Sequence, residues 1–144
     1  MEVRTLAVHP QSQSRSLILG LWAAQVFIAI AFCLGGTMKL AMPIPQLAGM
    51  WPWAGDIPSS LVRLMGMIDL LGGIGILLPS LTRIKPGLTI LAAAGCIALQ
   101  LCAIIFHSSR TEFSALPVNF VLIAGSIFIL WGRWKKIPVN ERPA

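Results

Sequence analysis

Charge is scarce in this chain. Only 11% of its 144 residues are Asp, Glu, Lys or Arg, against about 25% in an average soluble domain. With 56% hydrophobic residues and a mean hydropathy of +0.82, a soluble protein of this size could not hide its apolar surface. The composition defines an integral membrane protein built as one small domain. Cysteine is equally sparse. Cys33, Cys96 and Cys102 each lie inside an apolar run, no C-x-x-C occurs, and the spacing from Cys96 to Cys102 puts them on different helix faces. That argues against a disulfide framework or a metal knuckle and leaves them as small packing residues. The two histidines, His9 and His107, are far apart, so they cannot by themselves hold a haem or a metal between helices. G-x-G-x-x-G, P-loop, H-E-x-x-H and G-x-S-x-G motifs are all missing. No internal repeat is evident, which gives little support to a transporter.

The net charge of +6 does not point to nucleic acid, because the cations form no recognition stripe. They sit mainly in the tails and one short loop, where they set membrane orientation. Four apolar runs read as membrane helices. The first covers residues 17–38; it is too long for the apolar core of a signal peptide and lacks an A-x-A exit. The second covers residues 58–79, with Pro58 in its first turn and Pro79 at its exit. The third covers 87–106 and carries a small-residue patch, Ala92 to Gly95. The fourth covers 116–131, closed by G-R-W-K-K. Residues 41–60 contain four prolines and two glycines, which argue against a continuous helix. Trp51 and Trp53 place this loop at the membrane interface, either as an anchor or as a lid.

The expected fold is therefore all-α, a membrane-embedded four-helix bundle over residues 17–134, with polar tails at 1–16 and 135–144. Eight of the Lys and Arg residues fall in the tails and the loop between the second and third helices. Only Lys39, Arg63 and Arg110 fall at the opposite side. The excess predicts that both termini are cytoplasmic, which makes this a multi-pass protein of the cytoplasmic (inner) membrane.

Asp69 is a lone acid near the centre of the second span, where a charge costs roughly 2.5–3.5 kcal/mol on insertion scales. At 1.5 Å per residue it lies about 9 Å deeper than Arg63. In antiparallel spans, Lys39, Arg63, Asp69, Gln100, His107 and Asn119 all fall within the outer half, and the inner half is expected to hold almost no such groups. Two readings stand side by side. In one, Lys39, Arg63 and His107 extend to the headgroups and Asp69 serves as hydrogen-bonded helix glue. In the other, the six residues form an outward-opening ligand-binding pocket. Arg63 and Asp69 are about 120° apart on their helix, so Lys39 is the expected partner of Asp69. Gly66 and Gly73 beside the acid favour close approach of a neighbouring helix. Asp69 and His107 are the catalytic candidates. No metal ligand set is expected.

The chain resembles the DoxX-like family of small four-helix membrane proteins. The resemblance rests on G-T-M-K-L at residues 36–40, R-L-M-G-M-I-D-L-L-G-G-I-G-I-L-L-P at 63–79, His107 with Arg110, and Gly132 with Arg133. It covers most of residues 17–134. The family usually has Glu where this chain has Asp69; the shorter acid keeps the charge and changes its reach. The resemblance implies an accessory subunit in redox or quinone-linked metabolism, with a quinone as the cofactor class. The bilayer and either an oxidoreductase subunit or a second copy would be its partners. The alternative is a membrane enzyme or binding protein for a small hydrophobic ligand, centred on Asp69.

Overall fold

The computed structural model describes residues 14–143. The polar tail expected at 1–16 therefore lies almost wholly outside the described residues. Six α-helices follow in order: α1 Arg15–Ala41, α2 Ile44–Met50, α3 Trp53–Asp56, α4 Ser59–Thr82, α5 Gly87–Ser109 and α6 Leu116–Trp131. A 3-10 turn, Phe113–Ala115, leads into α6, and a π turn, Gly132–Lys136, extends it. Four of these units, namely α1, α4, α5 and α6 with its flanking turns, are long and apolar enough to cross a membrane.

The proline-rich stretch does not form an open loop. Each of its four prolines sits at a helix start: Pro43 precedes α2, Pro45 is in its first turn, Pro52 precedes α3 and Pro58 precedes α4. Proline suits these positions because the first-turn N–H groups have no partner within the helix. The result is a pair of short helices folded over one end of the bundle. Leu47, Trp53 and Ala54 pack there with Val62 of α4, backed by Met38, Trp51 and Phe106.

Pro79 does not end its helix. α4 continues to Thr82, with Pro79 buried inside it, and stops at Arg83 in the left-handed conformation (φ 59°). Proline removes one backbone donor, and a neighbouring side chain reaches the same turn: Gln25 Nε2 of α1 donates to Ile76 O at 2.8 Å. Polar side chains and adjacent helices commonly make proline tolerable in membrane helices in this way.

The core takes side chains from every span. Ile28 and Phe32 of α1, Ile76 of α4, Ala93 and Cys96 of α5, and Ile129 of α6 form one buried cluster. The outward surface is rich in exposed Leu, Ile, Val and Phe, such as Phe27, Leu71, Leu91 and Ile105, as a surface facing lipid requires. With lipid as apolar as the core, association rests on packing and interhelical hydrogen bonds. The contact between α1 and α4 is the most intimate. A Cβ on Gly66 would lie 2.9 Å from the Gly36 carbonyl oxygen and 2.9 Å from Lys39 Cβ; one on Gly73 would lie 2.7 Å from Cys33 Sγ. Cys33 thus acts as a packing residue against an α4 glycine, and Cys96 does the same against Gly72.

Gly66→Ala is expected to destabilise the protein by about 1–3 kcal/mol through overpacking. Gly95→Ala, whose Cβ meets nothing within 4 Å, is expected to be neutral or mildly stabilising. Reversible unfolding in detergent micelles, followed by circular dichroism, checks the contrast.

Candidate functional site

The glycine contact between α1 and α4 sets the geometry of the intramembrane charges. Because the backbones meet at Gly36 and Gly66, Lys39 from the last turn of α1 reaches across to α4. Its Nζ donates to Asp69 Oδ2 at 2.5 Å, and both side chains are largely buried. The pairing expected from helix geometry is the one observed. Arg63 does not join it. Its Nη1 donates to the Lys39 carbonyl oxygen instead, which satisfies an acceptor at the C-terminal end of α1.

The cap covers this pair. Lys39 Nζ lies 5.3 Å from the ring centre of Trp51 and 5.9 Å from that of Trp53, within the range of cation–π attraction. The two indoles are nearly parallel, 6.3 Å apart. Trp53 also packs edge-on against His107 at 6.3 Å and Phe106 at 6.1 Å. One indole therefore touches both the ammonium and the histidine that sequence placed at the outer rim.

His107 belongs to a separate network. Its Nδ1 pairs with Glu112 Oε2 at 2.7 Å. Arg110 Nε donates to Glu112 Oε1 at 2.8 Å, and Arg110 Nη2 donates to Asp56 Oδ2 of α3. This chain of charges ties the cap to the α5–α6 connection. Partial burial works to raise the Glu112 pKa, but hydrogen bonds from Arg110 and His107 and their charges outweigh it and hold the carboxyl below its ordinary value. Hydrogen bonds from Glu112 and Asp56 raise the Arg110 pKa further, so this residue stays cationic throughout.

The other two residues of the expected set are buried inside the bundle. Gln100 of α5 is 6% exposed and Asn119 of α6 is 8% exposed. Gln100 Oε1 and Asn119 Nδ2 have no hydrogen-bond partner among the described residues. The six residues thus divide into an ion pair with Arg63 bound behind it, a rim network, and two orphaned amides. Asp69 and His107 are held by different partners. An open groove of about 220 Å³ between α4 and α5 is apolar: Ile68, Leu71, Gly72, Ala92, Gly95, Cys96 and Leu99 line it, and none of the six polar residues does. Among the described residues, no three His, Cys, Asp or Glu side chains come together as a metal site.

One expectation fails. The other half of the bundle is not empty of polar groups. Gln25 Nε2 donates to Ser80 Oγ at 3.0 Å, Ser80 Oγ meets Thr89 Oγ1 at 2.9 Å, and Arg133 Nε donates to Gln25 Oε1 at 2.7 Å. Gln25, Ser80, Thr89 and Arg133 are all buried. This tie joins all four spans. It escaped notice because Gln25, Ser80 and Thr89 carry no charge and Arg133 looks like one of several tail cations. The π turn rotates Arg133 inward while its neighbours Trp134 and Lys135 stay exposed. Asp56, Glu112 and Trp53 were also missed as site residues, since their partners lie on other elements.

Four membrane-crossing helices with a buried ion pair between the first two define a small multi-pass membrane protein. The family model of the DoxX-like family matches residues 23–129, and the chain belongs to that family. No curated protein and no solved structure matches it.

Removing one member of the pair strands the other. Asp69→Asn is expected to cost about 3 kcal/mol of stability, in the manner of a broken buried ion pair, whereas Lys39→Met combined with Asp69→Leu recovers most of the loss. Arg110→Gln, in a solvent-screened network at the surface, is expected to cost much less. A double-mutant cycle on unfolding in detergent measures all three. The Glu112 network gives a pH dependence. A carboxyl held below its ordinary value of 4.5 contributes stability above that pH and loses it as pH falls toward the lowered value. Thermal midpoints recorded from neutral pH downward are expected to drop below about pH 4.5, and Glu112→Gln is expected to flatten that part of the curve.

Proposed function

We propose that this DoxX-like protein is an accessory protein of redox or quinone-linked metabolism in the cytoplasmic membrane, and that it holds a small hydrophobic ligand against Lys39, Asp69, Trp51 and Trp53. Residues 17–134 form its functional domain, with both termini in the cytoplasm. The excess of Lys and Arg at the end bearing the α4–α5 turn and the C-terminal tail supports that orientation.

The observation that carries the reading is an ammonium inside the bilayer, paired on one side with a carboxylate and bordered on the other by two parallel indoles. A quinone fits this donor set: its carbonyl oxygen accepts from an ammonium, and its flat ring packs on indole faces. Such a group, when bound, supplies reversible electron acceptance. The protein supplies position. Asp69 fixes the direction of Lys39, α2 and α3 exclude water, and Arg63 holds the end of α1 in place. His107, through Glu112 and Arg110, fastens the cap at Asp56. Gln100 and Asn119 leave an acceptor and a donor free for a polar group deeper in the bundle. Binding is favoured over catalysis because the two acid–base candidates, Asp69 and His107, are engaged in separate networks.

A short-chain quinone analogue added to the purified protein in detergent is expected to quench tryptophan emission saturably. Trp51→Phe and Lys39→Gln are expected to weaken that saturation by about tenfold, the loss of one charge-assisted contact, while Trp134→Phe leaves it unchanged. Linear, non-saturating quenching in the unaltered protein sinks the ligand reading.

A further inference from the structure

Arg133 is a buried cation without a counter-ion. It is 3% exposed and makes no ion pair among the described residues: Asp56, Asp69 and Glu112 belong to the networks at the opposite end, and Glu141 is exposed in the C-terminal tail with no ion pair to Arg133. A guanidinium has five N–H donors. Nε is used by Gln25 at 2.7 Å, Nη1 reaches Ile137 O only at 3.5 Å, and Nη2 has no partner. Its Cζ lies over Trp22, 4.8 Å from the ring centre, and the under-used pair of donors, Nη1 and Nη2, is the edge suited to a bidentate acceptor.

The setting selects the acceptor. Trp131 and Trp134 border the same end of the bundle, each with a lysine over its ring: Lys136 at 5.6 Å and Lys135 at 5.0 Å. Indoles mark the headgroup level of a bilayer. Arg83 and Arg142 meet there as well, joined by a backbone hydrogen bond of 3.0 Å from Arg142 N to Arg83 O. That bond lays the C-terminal tail, residues 137–143, back toward the α4–α5 turn, with buried Ile137 over Arg133. The anion abundant at headgroup depth is phosphate on lipid, and Arg binds phosphate in a bidentate fork. Basic pockets between membrane helices take such headgroups.

We propose that Arg133, oriented by Gln25 and Trp22, is the floor of a phosphate site for the headgroup of an anionic phospholipid, reached by displacement of the tail from Ile137 to Pro143. The site is independent of the ligand at Lys39 and of which side of the membrane it faces. An occupied site neutralises the cation that the polar tie across the four spans otherwise carries alone.

The test reconstitutes the full chain in phosphatidylcholine nanodiscs with or without phosphatidylglycerol, and reads bound lipid by native mass spectrometry and stability by thermal unfolding. Phosphatidylglycerol is expected to stay bound and to raise the midpoint; inorganic phosphate in phosphatidylcholine alone is expected to do neither. Arg133→Gln is expected to lower phosphatidylglycerol retention about tenfold, the equivalent of one charge-assisted contact. Gln25→Glu supplies an internal carboxylate to the same guanidinium. It gives up the Nε2 donations to Ile76 O and Ser80 Oγ, so its midpoint in phosphatidylcholine is read as its own baseline; against that baseline it is expected to lose the gain from phosphatidylglycerol, so the proposal is tested even where Arg133→Gln fails to fold. Three results overturn it: no preference for phosphatidylglycerol in the unaltered protein; a full preference in Arg133→Gln or in Gln25→Glu; or equal stabilisation by inorganic phosphate.

Discussion

A charge inside a bilayer needs its counter-charge within reach, and in this protein that requirement fixes how two helices meet. Lys39 and Asp69 lie on different spans. Their ammonium and carboxylate bond at 2.5 Å across two helices that approach almost to backbone contact, and Gly36 and Gly66 permit that approach. The glycines and the ion pair are one device. The glycines bring the backbones together, and the ion pair adds a specific bond to a contact that otherwise has only packing to hold it. The cap depends on the same device, because Trp51 and Trp53 lie over the ammonium that the pair positions.

The two ends of the bundle solve the polar problem differently. At the capped end, charges pair with one another: Lys39 with Asp69, and Arg110 with Glu112 and Asp56. At the other end, neutral side chains form a relay from Thr89 through Ser80 and Gln25 to Arg133, and the one charge in it finds only amide and carbonyl acceptors. Interhelical hydrogen bonds of this kind contribute modestly each. Their effect here is registration, since Gln25 alone touches α4 twice and the π turn once.

The proline positions show why local signals misled about local structure. Pro79 looks like a stop because its ring opposes the preceding turn and its N–H is missing. The helix nevertheless passes through it, and Gln25 of α1 adds a side-chain donor to the Ile76 carbonyl in the same turn. The prolines of residues 41–60 look like loop residues because there are four of them. They sit instead at successive helix starts, where a missing N–H costs little.

The sequence by itself determined that the chain lives in a membrane, that it has four spans, and that Lys39 suits Asp69 better than Arg63 does. Hydropathy, length and helical angle carry those conclusions, and they depend only on distances along the chain. The family was legible as well, from the motif around Asp69. Only the tertiary structure decided that Arg133 is buried and not a tail charge, that Glu112 and Asp56 share Arg110, and that a polar tie crosses the half of the bundle expected to be empty. Each of these depends on which face of one helix meets which face of another. A run of neutral or basic residues at a span's end does not encode that choice; the packing of four helices around Ile28, Ile76, Cys96 and Ile129 does.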